Sequence, residues 1–269
     1  MFGRVAGEQR AGRPLLAWSG LLVMVAAFVW LQLLSPPRKP QVEVEVPASE
    51  GPFAVVVLDP GHGGQDSGTI KAGLLEKELT LDVAQRAQRL LQAQGFVTVL
   101  TRTGDTHVSL AERAAVANAQ SKCVFVSIHF DDANKSAATG VETYFAARQI
   151  SKINPVAWLP FLQRTAADTA NAESQSLADR IQEALVAHTQ AVNRGTASQQ
   201  FFVIANVRHP AVLVEGGFLT NTDEKNKLAT ADYREQIAAA ITAGVKGYRD
   251  ALREQETPVA ANLSGANRR

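Results

Sequence analysis

The stretch Ala54-Val55-Val56-Val57-Leu58-Asp59-Pro60-Gly61-His62-Gly63-Gly64 opens on five apolar residues and closes on a glycine-rich turn that holds a histidine. A continuous Val-rich run of this length reads as a central strand covered on both faces. The same grammar returns twice. Val124 to Ile128 ends in His129, and Ala211 to Val214 ends in Glu215-Gly216-Gly217-Phe218. In an open α/β sheet, ligands gather at the carboxyl ends of such strands. His62, His129 and Glu215 are therefore expected to be neighbours in space although far apart in sequence.

A fourth stretch, Leu75-Glu76-Lys77, supplies one more carboxylate. Two imidazoles and the Glu76 carboxylate would leave a zinc ion an open position for water. Glu215 would then be the free carboxylate that takes the proton from that water. Each residue also has a plainer reading. A single histidine after a strand is ordinarily a satisfied polar group, and Glu76, among Lys77, Glu78 and Asp82, resembles a solvated helix start. Glu215 stands apart, because an acid closing an apolar strand is costly to bury without a partner. The convergence of all four carries the metal-site reading.

Between these stretches the chain alternates strands and helices. Leu79, Val83, Ala87, Leu90 and Leu91 recur at helical spacing, so a helix is expected from about Glu78 to Gln94, ended by Gly95. Further strands are read at Phe96 to Thr101, Gly140 to Phe145 (with Glu142 outward) and Phe201 to Ile204. Ser109-Leu110-Ala111-Glu112 is a capping box that starts a helix to about Asn118. Amphipathic helices are expected at Ser174 to about Thr189 and about Asp232 to Leu252, and a capped helix start at Thr220 to Glu224. The sum is a single α/β domain: a mixed, mostly parallel sheet of about six strands with helices on both faces.

The phrases DPGHGGQDSG, LLEKELTLDVA, LTRTGDTHVSLAERAAVAN, VFVSIH, GVETYF and AVLVEGGFLTNTDE follow one another from about Val55 to Leu252. In this order they resemble the signature blocks of the zinc-dependent N-acetylmuramoyl-L-alanine amidase family (the amidase-3 type). The resemblance implies His62, Glu76 and His129 as zinc ligands and Glu215 as the catalytic glutamate. It implies peptidoglycan as substrate, cut between the lactyl group of muramic acid and the first L-alanine of the stem peptide. The family usually has a small residue and then Asn after the second histidine; here Phe130-Asp131-Asp132 follows His129. Two other readings accompany the amidase: a zinc peptidase acting on wall peptides, and a catalytically inactive or weak wall-binding protein on the same fold.

The remaining features are less specific. Net charge is +1 with 20% charged residues, which gives no reason to expect a nucleic-acid surface. Residues 1–14 are basic, Leu15 to Leu34 carries no charge, and residues 35–52 form a Pro-rich linker. About twenty apolar residues of helix match a bilayer of roughly 30 Å. The expectation is a single-pass anchor at Leu15 to Leu34, with the N-terminus cytoplasmic and the domain at residues 53–253 on the periplasmic or extracytoplasmic side. A cleavable signal peptide is the rival. Residues 254–269 are expected to be disordered. Arg102 and Arg113 read as loop-bracing residues, with substrate contact as the alternative. His209 is either structural or near enough to polarise the scissile carbonyl. Gln149 to Asn171 is either a packed excursion or a lid over the site. His107 reads as a surface residue, His188 as a helix-terminus residue, and Cys123, the one cysteine, as a buried inert thiol. Whether a partner protein activates the site is not legible in the chain.

Overall fold

The computed structural model describes Met24, Trp30 and residues 51–131, 138–149 and 160–265, the side chains of 131, 160–171 and 256–265 excepted. The chain separates into two units, Met1–Glu45 and Val46–Arg269. The second carries a six-stranded sheet in the order β4-β1-β5-β8-β6-β7. Its strands are β1 (Val55–Pro60), β4 (Val97–Leu100), β5 (Cys123–Asp131), β6 (Val141–Phe145), β7 (Asn193–Ser198) and β8 (Ala211–Phe218). β4, β1, β5 and β8 run parallel; β6 runs antiparallel to β8, and β7 runs parallel to β6. The expected mixed, mostly parallel sheet is the one observed.

The two faces of β1 and β5 explain their unbroken apolar runs. Val56, Leu58, Val124, Val126 and Ile128 point into one core. There they meet α1 (Glu76–Ala93), α3 (Pro160–Thr189) and α6 (Ala231–Gly265). Val55, Val57, Phe125 and Leu213 point the other way. They pack on α2 (Leu110–Asn118) and α4 (Phe202–Ala205). Both sides of the central strands are dry, so no polar alternation survives in their sequence. The short α5 (Thr222–Leu228) follows β8 and is capped by Asn221, whose side chain accepts from the Asp223 and Glu224 amides. The capping box read at Ser109 and Glu112 is present at the start of α2.

Several expectations are corrected. Phe201 to Ile204 is helical, as α4, and not a strand. A four-residue apolar run cannot be assigned by period alone, and here Val203, Ile204 and Ala205 are buried while Phe201 and Phe202 stay exposed. β7 is an added edge strand, and a two-stranded hairpin, β2 (Ile70–Lys71) with β3 (Leu74–Leu75), leads into α1. α3 starts at Pro160, ahead of the expected Ser174; residues 150–159 of the expected excursion lie outside the described residues. α6 continues to Gly265, into the tail expected to be disordered from 254.

The expected membrane span at Leu15 to Leu34, and the periplasmic single-pass localisation built on it, are corrected as well. Among the described residues no helix is long and apolar enough to cross a membrane. A span needs a continuous apolar helix of about twenty residues, whereas the long described helices carry a charged face, as in Glu78, Asp82 and Arg86 of α1. Of Leu15 to Leu34, only Met24 and Trp30 are described.

Candidate metal centre

The chain leaves β1 at Pro60 and turns sharply. Gly61 N still donates to Ile128 O of β5 at 3.0 Å, so the turn stays pinned to the sheet. His62 then adopts φ 60°, the left-handed region that a residue with a Cβ rarely enters. Two buried arginines hold this conformation through its carbonyls. Arg102 donates to Pro60 O at 3.0 Å and Gly61 O at 2.8 Å. Arg113 donates to Pro60 O and His62 O, both at 2.7 Å. Arg113 also pairs with the buried Asp59 at 2.7 Å, and Asp59 in turn accepts from Ser127 Oγ at 2.8 Å. Both arginines brace the turn, Arg113 partly through an acid and Arg102 chiefly through carbonyls.

His129 leaves the end of β5 against Gly61. A Cβ on residue 61 would lie 2.3 Å from His129 Cε1, so the imidazole occupies the space that only glycine frees. Glu76 enters from the first turn of α1 and is 4% exposed. Its Oε1 lies 3.0 Å from His62 Nε2 and 3.1 Å from His129 Nδ1. The ligand atoms of His62, Glu76 and His129 all fall within 4.8 Å of one another. The two imidazoles meet edge to face, with centroids 4.9 Å apart.

His62 and Glu76 are each oriented by further contacts. His62 Nδ1 lies 2.9 Å from Asp66 Oδ2, which leaves Nε2 turned to the cluster. Phe130 N donates to Glu76 Oε1 at 3.1 Å and Thr69 N to Oε2 at 2.9 Å. Burial works against a charge on Glu76, but the hydrogen bonds with His129 and His62 outweigh it and hold the carboxyl well below the usual carboxylate range. Burial likewise opposes a proton on His62, and Glu76 and Asp66 together raise its pKa above the ordinary value. An anionic carboxylate between two imidazoles, one backed by a second carboxylate, is a donor set that can hold a metal ion.

Glu215 stands beside this group. It is the registered partner of His129 between β5 and β8, so the two side chains share a face. Across β8 it is also the registered partner of Glu142 on β6. The four residues read from sequence as one constellation are therefore brought to one end of the sheet.

A sequence profile described as N-acetylmuramoyl-L-alanine amidase (Amidase_3) matches residues 56–247. The chain belongs to this amidase family. It is 38% identical over 193 residues to the N-acetylmuramoyl-L-alanine amidase LytC of Bacillus subtilis (strain 168), which covers 72% of this chain and 35% of that relative. The chain thus spans about a third of LytC. It is 29% identical over 263 residues to the amidase AmiA of Escherichia coli (strain K12), covering 89% of each. The solved N-acetylmuramoyl-L-alanine amidase from Clostridium difficile 630 superposes with a TM-score of 0.64 at 33% identity, covering 74% of this chain and 98% of that one. Membership makes the chain a peptidoglycan hydrolase of the N-acetylmuramoyl-L-alanine amidase class.

The other titratable residues of the amidase fall elsewhere. His209 precedes β8, at the end opposite Glu215, with its Nε2 3.1 Å from Gln120 O; it does not reach the cluster. His107 and His188 are exposed, and Cys123 is buried at the start of β5. Two residues near Glu215 escaped the sequence reading. Glu142 lies on the Glu215 face, not outward, and Arg194 of β7 pairs with it at 2.9 Å. An acid inside the strand Val141-Glu142-Thr143-Tyr144-Phe145 was the available signal for Glu142. Arg194 had none, because β7 itself was not legible.

Proposed function

We propose that this amidase hydrolyses the bond between N-acetylmuramic acid and the L-alanine of the stem peptide, with one zinc ion held by His62, Glu76 and His129 and with Glu215 moving the proton. The observation that supports this most is the approach of the three ligand atoms to within 4.8 Å, with Glu215 in register beside His129. Bound there, zinc supplies a Lewis acid that polarises the amide carbonyl and lowers the pKa of a water toward roughly 7. Glu215 accepts a proton from the attacking water and delivers it to the departing nitrogen as the carbon–nitrogen bond breaks. The hydroxyl is left on the lactyl carbonyl, and L-alanine leaves with a free amine. Asp66 fixes the tautomer and orientation of His62, and the Thr69 and Phe130 amides hold Glu76 in place.

Digestion of purified peptidoglycan, read by mass spectrometry with and without a chelator, tests this reading. Stem peptides with a free L-alanine amine should appear, vanish with chelator and return with zinc. Cleavage of the same peptides without the muramyl sugar would make the protein a peptidase instead. Glu215→Gln should keep its zinc and lose about 10²–10⁴-fold in turnover. His62→Ala and His129→Ala should lose the metal; full zinc stoichiometry in either would reject the ligand assignment.

A further inference from the structure

β7 brings an arginine to the edge of the site face. Arg194 Nε donates to Glu142 Oε2 at 2.9 Å. The guanidinium also lies over the Phe218 ring, with Cζ 5.0 Å from the centroid. Glu142 stands directly opposite Glu215 across β6 and β8. Opposed residues of antiparallel strands carry their Cβ atoms about 4.5–5.5 Å apart on one face. Arg194 stands two strands from Glu215, and its guanidinium is held by two contacts that set its plane: an ion pair at Nε and a ring under one face.

Those contacts leave the Nη1 and Nη2 donors without a partner among the described residues, and the Arg194 side chain is 39% exposed. An exposed arginine ordinarily spends entropy when it is ordered for binding. Here the ordering is already done by Glu142 and Phe218. What remains is a planar fork of donors, which matches a carboxylate bidentately. Bracing β6 to β7 needs only the Nε contact, so among the described residues a structural role does not use the fork.

The substrate chemistry says which side of the scissile bond the fork meets. The lactyl carboxyl of muramic acid is consumed in the scissile amide, so the anionic groups lie on the peptide side. We propose that Arg194 is a specificity-determining residue that binds a carboxylate on the peptide side of the substrate. The proposal rests on the amidase reading above. Glu142 sharpens the effect, because without Arg194 its own charge would face the incoming carboxylate.

The test uses two synthetic muramyl peptides that differ only in the peptide carboxylates, free in one and amidated in the other. The full chain should prefer the free acid by about 10- to 100-fold, carried by KM and not by kcat. R194Q should abolish that preference by raising KM for the free acid alone, with the zinc content unchanged. R194K keeps the charge and loses the fork, so it should retain part of the preference, and it serves if R194Q fails to fold. An equal loss on both substrates would show a brace only, and absence of preference in the unsubstituted chain would overturn the proposal. Affinities measured by calorimetry on E215Q, with and without R194Q, separate the two readings. No turnover of either peptide with the affinity difference retained would sink the amidase mechanism and keep the arginine. Turnover of both with no affinity difference would do the reverse.

Discussion

Gly61 sets the position of His129, and its smallness is a requirement of the His62–Glu76–His129 cluster. Its missing side chain would overlap the imidazole at 2.3 Å from Cε1, 2.6 Å from Nε2 and 2.7 Å from Nδ1. Gly61→Ala should therefore move His129 off Glu76 and weaken zinc binding by about 10- to 100-fold, the scale of a lost orienting contact. Zinc stoichiometry against chelator concentration checks this, and circular dichroism should show the sheet intact. The three residues of the cluster were legible because each follows an apolar strand or opens a helix. The reason for Gly61 was not, since a glycine beside a histidine does not say which distant ring will lie against it. Arg194 escaped for a related reason: its place depends on Glu142 and Phe218, two strands that only the fold makes neighbours.

At the scale of elements, α1 carries Glu76, and its seating on α6 is fastened by a charged network. Asp82 of α1 accepts from Arg86 Nε at 2.9 Å and also from Arg234 Nε of α6, while Arg86 Nη1 reaches Glu235 at 2.7 Å. Partial burial works against the Asp82 charge, but the two guanidinium groups outweigh it and hold the carboxyl below its ordinary 3.8. A carboxylate depressed in the folded state stabilises it above the unfolded pKa, and that contribution disappears as pH falls through the lower folded value. The network should thus be fully effective above about pH 4 and lost in stronger acid. Asp82→Asn should cost on the order of 1 kcal/mol or less at neutral pH, since solvent screens a pair this exposed. Its stability gap from the unsubstituted chain should close below the pH at which Asp82 is protonated, as read by denaturant midpoints. α1 itself was plain from its apolar spacing. β7 was not, because Asn193-Arg194-Gly195-Thr196-Ala197-Ser198 lacks apolar alternation and is a strand only through its pairing with β6.

The molecule as a whole is set by how closely the helices on one face of the sheet approach one another. Gly244 of α6 lies against α3, where an added Cβ would meet Ile181 Cα at 2.5 Å. Gly244→Ala should force the helices apart at a cost of about 1–3 kcal/mol. The denaturant midpoint should fall while zinc content per folded molecule stays the same, since this contact is on the face away from Glu215. The fold class was legible because strands buried on both faces write themselves as unbroken apolar runs. The helix contact was not, because Gly244 inside an amphipathic pattern looks like a defect until its neighbour is known. The apolar run at Leu15 to Leu34 shows the converse: composition alone suggested a span, and no described helix provides one.

Cys123 gives the protein an internal reporter. It is the single thiol of the chain, 2% exposed, on the strand next to β1 and β8 in the middle of the sheet. A buried thiol at the start of β5 reacts with a labelling reagent only when that end of the strand opens. The modification rate of the unaltered chain is therefore a clock for opening at that end of the sheet. Zinc, any substrate and each of the substitutions above can be timed against it without introducing a probe.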